Sequence, residues 1–496
     1  MTKQLNKTLI VVLTFITSFL FGQNTRSDKQ TKVAKYFVEA YNQQNYSRMK
    51  KPFFTLAKLL PIKKTLKSEF EPIFKKYGKA KICSIALPSE NKLIVELNYE
   101  KDVTEKDFLV FYFNKRNKMM GLNFKSPDFI YPKTNTSRDN QNITLKIDSL
   151  VKQKSSNGFN GCALVINNGS EIYKNSFGYS NYDTKELLNE NSTFELASCS
   201  KQFTGMAIMI LAEQGKLNYS DTIQKFIPDL PYQNITIQNL LTHTSGLPDY
   251  MELIEKHWDK KKFATNYDIV NLFKQYKPKS YFSPNEAFDY SNTGYALLSI
   301  IIEKASGLTY ADFLDTYIFK KLGMKNARVY NTRRSKKENI PNYAYGYIYS
   351  NKQNKYLLPD SLPDYKYVIY MDAITGDGTV NASISDLAIW DKALRENTLV
   401  KKATIEKAYS IHKLKSGKVI NYNFGQFVCV SDTNERLVHH GGSWPGYSTF
   451  IVHFIDRQTS IIILSNNEYN KVSNLADQIA AILLDQHAEI NVEKKH

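Results

Sequence analysis

Phe194-Glu-Leu-Ala-Ser-Cys-Ser-Lys-Gln-Phe-Thr-Gly205 runs into Met206-Ala-Ile-Met-Ile-Leu-Ala212, a segment apolar nearly all round. A helix with that pattern is buried, and Gly215 stands where a left-handed residue would end it. Ser198 and Lys201 are three residues apart at its start, so on a helix they share one face. The Ser198 backbone N–H is then free of a helical partner. Ser-x-x-Lys is a weak signal by itself. It recurs at Ser47/Lys50, Ser89/Lys92, Ser149/Lys152 and Ser410/Lys413, each in a polar, Lys-rich stretch that reads as surface.

Other motifs follow in order. Leu240-Leu-Thr-His-Thr-Ser-Gly-Leu-Pro248 precedes Tyr290-Ser-Asn-Thr-Gly-Tyr295. The stretch Tyr310 to Met324 ends in Leu-Gly-Met. Gly376-Asp-Gly-Thr-Val-Asn-Ala-Ser-Ile-Ser-Asp-Leu387 and His440-Gly-Gly-Ser-Trp-Pro-Gly-Tyr-Ser448 complete the set. A serine, two proton carriers, an amide and a glycine-bearing strand are the parts needed for acyl transfer through a serine ester.

Six such motifs in this order resemble the serine β-lactamase and penicillin-binding-protein superfamily, in its class C-like branch, which also holds esterases and D-amino-acid peptidases. The resemblance covers residues 140 to 490. It implies an α/β (α+β) architecture in which an antiparallel sheet flanked by helices meets a helical region, with the site between them. It implies Ser198 as nucleophile and Lys201 as the amine that holds and helps deprotonate it. Tyr290 would be the general base, as a phenolate or through a proton shared with Lys201, and later the acid. Asn292 would bind the substrate's acyl amide. His440 would line the site from an edge strand, with Gly441 and Gly442 admitting the substrate backbone. The N–H groups of Ser198 and Ser443 would form the oxyanion hole. Asn292 also reads as the N-cap of a helix from Thr293 to Ala305, ended by Gly307.

Two departures from the family pattern stand out. Many relatives carry Lys in the third motif, where it pairs with a substrate carboxylate. His440 is mostly neutral at pH 7, which favours esters or D-aminoacyl amides over β-lactams. The loop before Tyr290 reads Pro284-Asn285 rather than Pro-Gly, and Asn tolerates the positive φ such a turn requires.

The rest of the chain sets the context. Its 496 residues suit two domains. Residues 1–22 read as a Sec signal peptide: Lys3 and Lys7 precede the apolar Thr8–Phe21, with Leu20-Phe-Gly22 as cleavage site. That run is too short to span a bilayer comfortably, so a periplasmic or secreted protein with no transmembrane segment after cleavage is expected. Residues 28–130 read as a small accessory domain, a helix over 32–42 and strands near 82–86, 92–99, 108–113 and 118–124, similar to cystatin-like modules. Residues 131–142, polar and aperiodic, read as a linker, and 143–490 as the hydrolase domain. Cys162 to Lys174 reads as a hairpin. Strands are expected over 426–430, 436–439, 448–453 and 460–465, and a last helix over 472–486.

The four cysteines, Cys83, Cys162, Cys199 and Cys429, have no C-x-x-C spacing, and the histidines no H-E-x-x-H pattern. No metal site or cofactor is expected, and His243 and His439 read as loop or structural residues. The net charge of +18 could draw the protein to an anionic wall polymer or membrane surface. It is scattered, however, and fits a composition rich in Lys, Asn and Tyr better. No basic helix or aromatic-basic platform supports nucleic-acid binding. The expected partner is a small-molecule or peptide substrate, peptidoglycan-derived in one version.

Overall fold

The computed structural model describes residues 26–49, 62–89, 92–100, 106–113, 119–125, 140–329, 340–430, 436–469 and 471–484. The expected signal peptide lies outside these residues, as does most of the expected linker. The chain divides into two compact units, residues 1–130 and 131–496.

The first unit carries helices α1 (Arg26–Asn42) and α2 (Ile62–Tyr77), then strands β1 (Ala80–Ser89), β2 (Lys92–Tyr99), β3 (Lys106–Phe113) and β4 (Met119–Lys125). The strands form one antiparallel meander in sequence order. Phe37, Ala40 and Tyr41 of α1 meet Phe70 of α2 and Val95 and Leu97 of β2 in its core. Asn42 brackets the start of β1, its side chain bonding both the N–H and the C=O of Ala80. Pro72 inside α2 obscures that helix's sequence signal.

The second unit opens with α3 (Asn140–Ser156), so residues 140–142 are helical rather than linker. The hairpin of β5 (Gly161–Asn167) and β6 (Ser170–Phe177) turns through Asn168 and Gly169 at φ 50° and 76°, as a two-residue turn of matching twist requires. Next come β7 (Thr193–Glu195), α4 (Lys201–Glu213), α5 (Ile237–Leu241), α6 (Tyr250–His257), α7 (Asn266–Tyr276) and α8 (Asn292–Ser306). They are followed by β8 (Val380–Ser383), α9 (Ile384–Glu396), β9 (Tyr422–Asn423), β10 (Gln426–Val430), β11 (Arg436–Trp444), β12 (Tyr447–Phe454), β13 (Thr459–Ser465) and α10 (Val472–Leu484).

Seven strands make one antiparallel sheet in the order β9-β10-β11-β12-β13-β5-β6. The last strand of the chain thus pairs with the first of this unit, Ile461 opposite Val165. Every residue of β13 is buried, which its Ile461-Ile-Ile-Leu464 run anticipates. On one face Ile143 and Ile147 of α3 and Leu475 and Ile479 of α10 pack on Ala163, Val452 and Ile461. The other face carries His453 and Ser460, which bond Asp391 of α9.

β11 positions the site. It pairs with β12 along its length, from Leu437 opposite Phe454 to Trp444 opposite Tyr447. On its other side it pairs with β10 only as far as His439. β11 is therefore an interior strand whose second half, from Gly441 on, presents an unpaired edge.

Candidate active site

The segment expected to carry the nucleophile does not enter its helix directly. Ala197–Ser200 forms a 3-10 turn that continues into α4 at Lys201. Ala197 has φ 48°, a left-handed conformation that costs a non-glycine residue roughly 1–3 kcal/mol. Neighbours hold it there. The Leu196 N–H donates to Val380 O at 2.9 Å, and Thr449 Oγ1 donates to Leu196 O at 2.8 Å. Ser200 Oγ accepts from the Val380 N–H at 3.0 Å, and Cys199 Sγ donates to His440 O at 3.2 Å. Ser198 is the one half-buried residue in an otherwise buried stretch from Ser192 to Leu211. Ser47, Ser149 and Ser410 of the other Ser-x-x-Lys copies are exposed. Helix α4 ends as its sequence suggests: Gly215 turns left-handed at φ 70°, and Lys216 N–H closes onto Leu211 O at 3.0 Å.

Lys201 is fully buried. Its Nζ lies 3.1 Å from Ser198 Oγ, 2.9 Å from Asn292 Oδ1 and 2.6 Å from the Asp377 carbonyl oxygen. Burial lowers its pKa to about 8, against the opposing pull of the Asp377 carboxylate. Asp377 has its carboxylate tied to Tyr250, whose hydroxyl donates to Oδ2 at 2.9 Å.

Burial, the largest influence on Tyr290, holds its phenol well above the ordinary range, with the Ser198 side chain pulling the other way. Tyr290 is a neutral phenol at rest, which disfavours the phenolate route and leaves the shared-proton route. Asn292 does not cap its helix. Ser291 does, its hydroxyl accepting from the Gly294 N–H at 3.1 Å. That frees the Asn292 amide for Lys201. Gly307 ends the helix at φ 78°. Asn285 takes φ 63°, so the turn before Tyr290 keeps the geometry a glycine would give.

His440 differs most from expectation. It does not line the open cleft; it is 3 % exposed and stands behind Tyr290. Its Nδ1 lies 2.7 Å from Gly441 O, which can only accept, so Nδ1 carries the proton. Nε2 therefore accepts, from the Tyr422 hydroxyl at 3.0 Å and at longer range, 3.5 Å, from Tyr290. Burial and then the Lys201 charge depress its pKa to about 3, so His440 is a neutral acceptor rather than a switchable cation. Gly442 also has a different reason from the one expected. A Cβ there would sit 2.2 Å from Leu196 O and 2.3 Å from Thr449 Oγ1, so its absence lets β11 lie on the nucleophile turn. Gly441 and Ser443 are the exposed residues of this edge. Cys162 and Cys199 are free and buried.

Three neighbours were given no role in this site: Asp377 and His243 stand inside the sequence motifs, and Tyr422 lies outside all of them. Tyr422 is 18 residues before the His440 that its hydroxyl bonds, and Asp377 is 127 residues after the Tyr250 that holds its carboxylate. His243, read as a loop residue, is fully buried against Tyr290, their ring centroids 4.3 Å apart.

A profile of the β-lactamase family matches residues 147–486. Penicillin-binding protein 4* of Bacillus subtilis is 48% identical over 310 residues, 62% of this chain and 68% of that protein. The chain belongs to the β-lactamase family. Among solved structures, the octameric penicillin-binding protein homologue from Pyrococcus abyssi superposes with a TM-score of 0.58 at 28% identity, over 68% of this chain and 77% of that one. The D-amino acid amidase from Ochrobactrum anthropi shares the fold, with a TM-score of 0.57 at 21% identity, over 70% of this chain and 99% of that one. The protein is a serine hydrolase of the β-lactamase/transpeptidase fold. Among the described residues no helix is long and apolar enough to cross a membrane.

Proposed function

We propose that this family member hydrolyses amide or ester bonds of D-amino-acid or wall-peptide type through an acyl-enzyme on Ser198, outside the cytoplasm once residues 1–22 are removed. One observation carries the mechanism: the surroundings of the buried Lys201 amine. Asn292 Oδ1 and Asp377 O can only accept hydrogen bonds. When Lys201 loses a proton, its two remaining hydrogens stay on those oxygens and its lone pair faces the Ser198 hydroxyl. Lys201 then takes the Ser198 proton as Oγ attacks the carbonyl carbon. The oxyanion forms against the N–H groups of Ser198 and Ser443. As the tetrahedral intermediate collapses, Tyr290 gives its proton to the leaving group and is refilled from the Lys201 ammonium. Water repeats the sequence to release the acid. No cofactor enters the scheme, and all of these groups fall within residues 143–490.

The substrate's orientation follows from the order of groups. The leaving group lies toward Tyr290, so the acyl chain runs the other way along β11, past Gly441 and Ser443 toward the half-buried Trp444. A neutral, inward-facing His440 offers no cation for a substrate carboxylate, which places esters and D-aminoacyl amides ahead of β-lactams. The similar proteins, a penicillin-binding protein, a D-amino acid amidase and a hydrolase with promiscuous acyltransferase activity, span the same range. A non-catalytic wall-peptide binder is disfavoured, since it would need neither the buried amine nor its alignment on Ser198.

The test is a panel of a short-chain nitrophenyl ester, D-alanyl amides and peptides, and a chromogenic cephalosporin, with mass spectrometry of protein exposed to a fluorophosphonate. Turnover with the adduct on Ser198 supports the reading. An adduct on Cys199, or no turnover of any panel member, sinks it.

A further inference from the structure

His243 is unfavourable by every local criterion. It is a non-glycine residue at φ 55°. Its Nδ1 accepts from the Ser291 N–H at 3.0 Å, so its proton sits on Nε2. Nε2 is buried and finds no hydrogen-bond partner among the described residues. A left-handed backbone and an orphaned donor in one buried residue are both destabilising. Strain of this kind persists where surrounding contacts or a function require it.

Its contacts point to Tyr290. The His243 carbonyl accepts from the Asp289 N–H at 3.0 Å, and its ring accepts from the Ser291 N–H. The two residues flanking Tyr290 are thus both tied to His243. Next to it, Thr244 O accepts from the Asn285 N–H at 2.8 Å, fixing the turn that leads into this segment. The imidazole also packs on the rings of Tyr290 and Tyr422, with centroids 4.3 Å and 4.2 Å away. The left-handed backbone serves this arrangement, because it lets one residue present both its carbonyl and its ring to the same facing strand of chain.

We propose that His243 is a positioning residue that clamps Asp289-Tyr290-Ser291 from both sides and so sets the Tyr290 hydroxyl over Ser198. It touches neither substrate nor the reacting atoms. The proposal rests on Tyr290 as the proton carrier of the site, and the test separates the two ideas.

The test compares His243→Asn with His243→Gly. Asparagine readily adopts positive φ and offers Oδ1 in place of Nδ1; glycine adopts the same φ and offers no acceptor. Misplacing a catalytic group by an ångström costs on the order of 10²-fold in rate. The glycine variant should lose kcat on that scale on a nitrophenyl ester, with KM little changed and a native near-UV spectrum. The asparagine variant should recover to within about tenfold of the parent. A folded glycine variant with full kcat overturns the clamp, as does an asparagine variant as impaired as a folded glycine variant. Should the glycine variant not fold, the asparagine variant decides: kcat near the parent's supports the clamp, and a loss on the order of 10²-fold with a native spectrum overturns it. Tyr290→Phe is the control. If it retains full kcat, the reading of Tyr290 fails, independently of how His243 behaves.

Discussion

Two serine-bearing polar clusters of the second unit differ in their access to solvent. One is Ser198, Lys201 and Tyr290; the other is Ser460, His453 and Asp391. By residue type the second is the more obvious hydrolase triad, yet its geometry prevents that chemistry. His453 Nδ1 lies 2.9 Å from both Asp391 Oδ1 and Ser460 Oγ. A relay needs the acid on one ring nitrogen and the serine on the other. Ser460 gives its proton straight to Asp391, and His453 Nε2 has no partner among the described residues. Arg395 Nε completes the set at 2.9 Å from Asp391 Oδ2. Ser460, His453 and Asp391 are buried, whereas Ser198 is half-buried. A serine becomes a nucleophile through access, a base with a free lone pair and nearby N–H donors. The sealed cluster ties α9 to the sheet.

The sharpest way to break this comparison is to remove each serine. Ser198→Ala should lose on the order of 10⁴-fold or more in kcat on a nitrophenyl ester, while Ser460→Ala keeps the parent kcat. Loss of turnover in a folded Ser460→Ala protein would mean that the sealed cluster takes part.

Removing the central acid should be mainly a matter of stability. Asp391→Ala leaves His453 and Arg395 facing a void, and breaking a buried charged network by deleting one partner costs about 3–5 kcal/mol. Urea unfolding should show that loss, with kcat of the folded fraction unchanged.

The acids differ in their effect on pH dependence. In the proposed mechanism Lys201 must be neutral to accept the Ser198 proton, and its pKa is about 8. kcat/KM should therefore rise about tenfold per pH unit below that value and level off above it. The Asp377 carboxylate favours the ammonium form of Lys201, so Asp377→Asn should move this limb to lower pH. Asp391→Asn should leave it in place. A limb that stays fixed in Asp377→Asn would remove Lys201 as the titrating base.

The smallest effect concerns His440. A missing charge-assisted contact costs about 1.5–3 kcal/mol, a factor of tenfold or more, so carboxylate-bearing cephalosporins should be poorer substrates than neutral esters by that margin. Because the His440 pKa is depressed to about 3, the ester-to-cephalosporin ratio should stay flat between pH 5.5 and 7.5. A ratio that falls on acidification would show that His440 titrates and reaches the substrate.

Much of this protein can be read locally. The Phe203–Leu211 run specifies a buried helix, and Gly215 and Gly307 mark two helix ends because only a left-handed residue closes them. The hairpin at Asn168-Gly169 and the β13 strand follow from turn chemistry and an unbroken apolar run. The motif order shows the family, since it preserves the spacing of the reacting groups along the chain. Other features were not legible. Ser291, not Asn292, caps α8, and two adjacent cap-competent residues cannot be ranked until one meets Lys201. Pro72 hid a helix that tertiary packing tolerates.

The sequence by itself determined which groups are available: a serine and a lysine on one helical face, a tyrosine and an amide at the head of another helix, and glycines on a strand. The tertiary structure decided their chemical states. The Lys201 pKa falls to about 8 because burial disfavours its ammonium form, while two carbonyl oxygens brought from distant segments orient its hydrogens. His440 is neutral and turned inward because Gly441 O fixes one ring nitrogen and Tyr422 the other. Protonation and hydrogen-bond direction depend on the atoms that replace water around a group, and those atoms come from parts of the chain that only folding brings together.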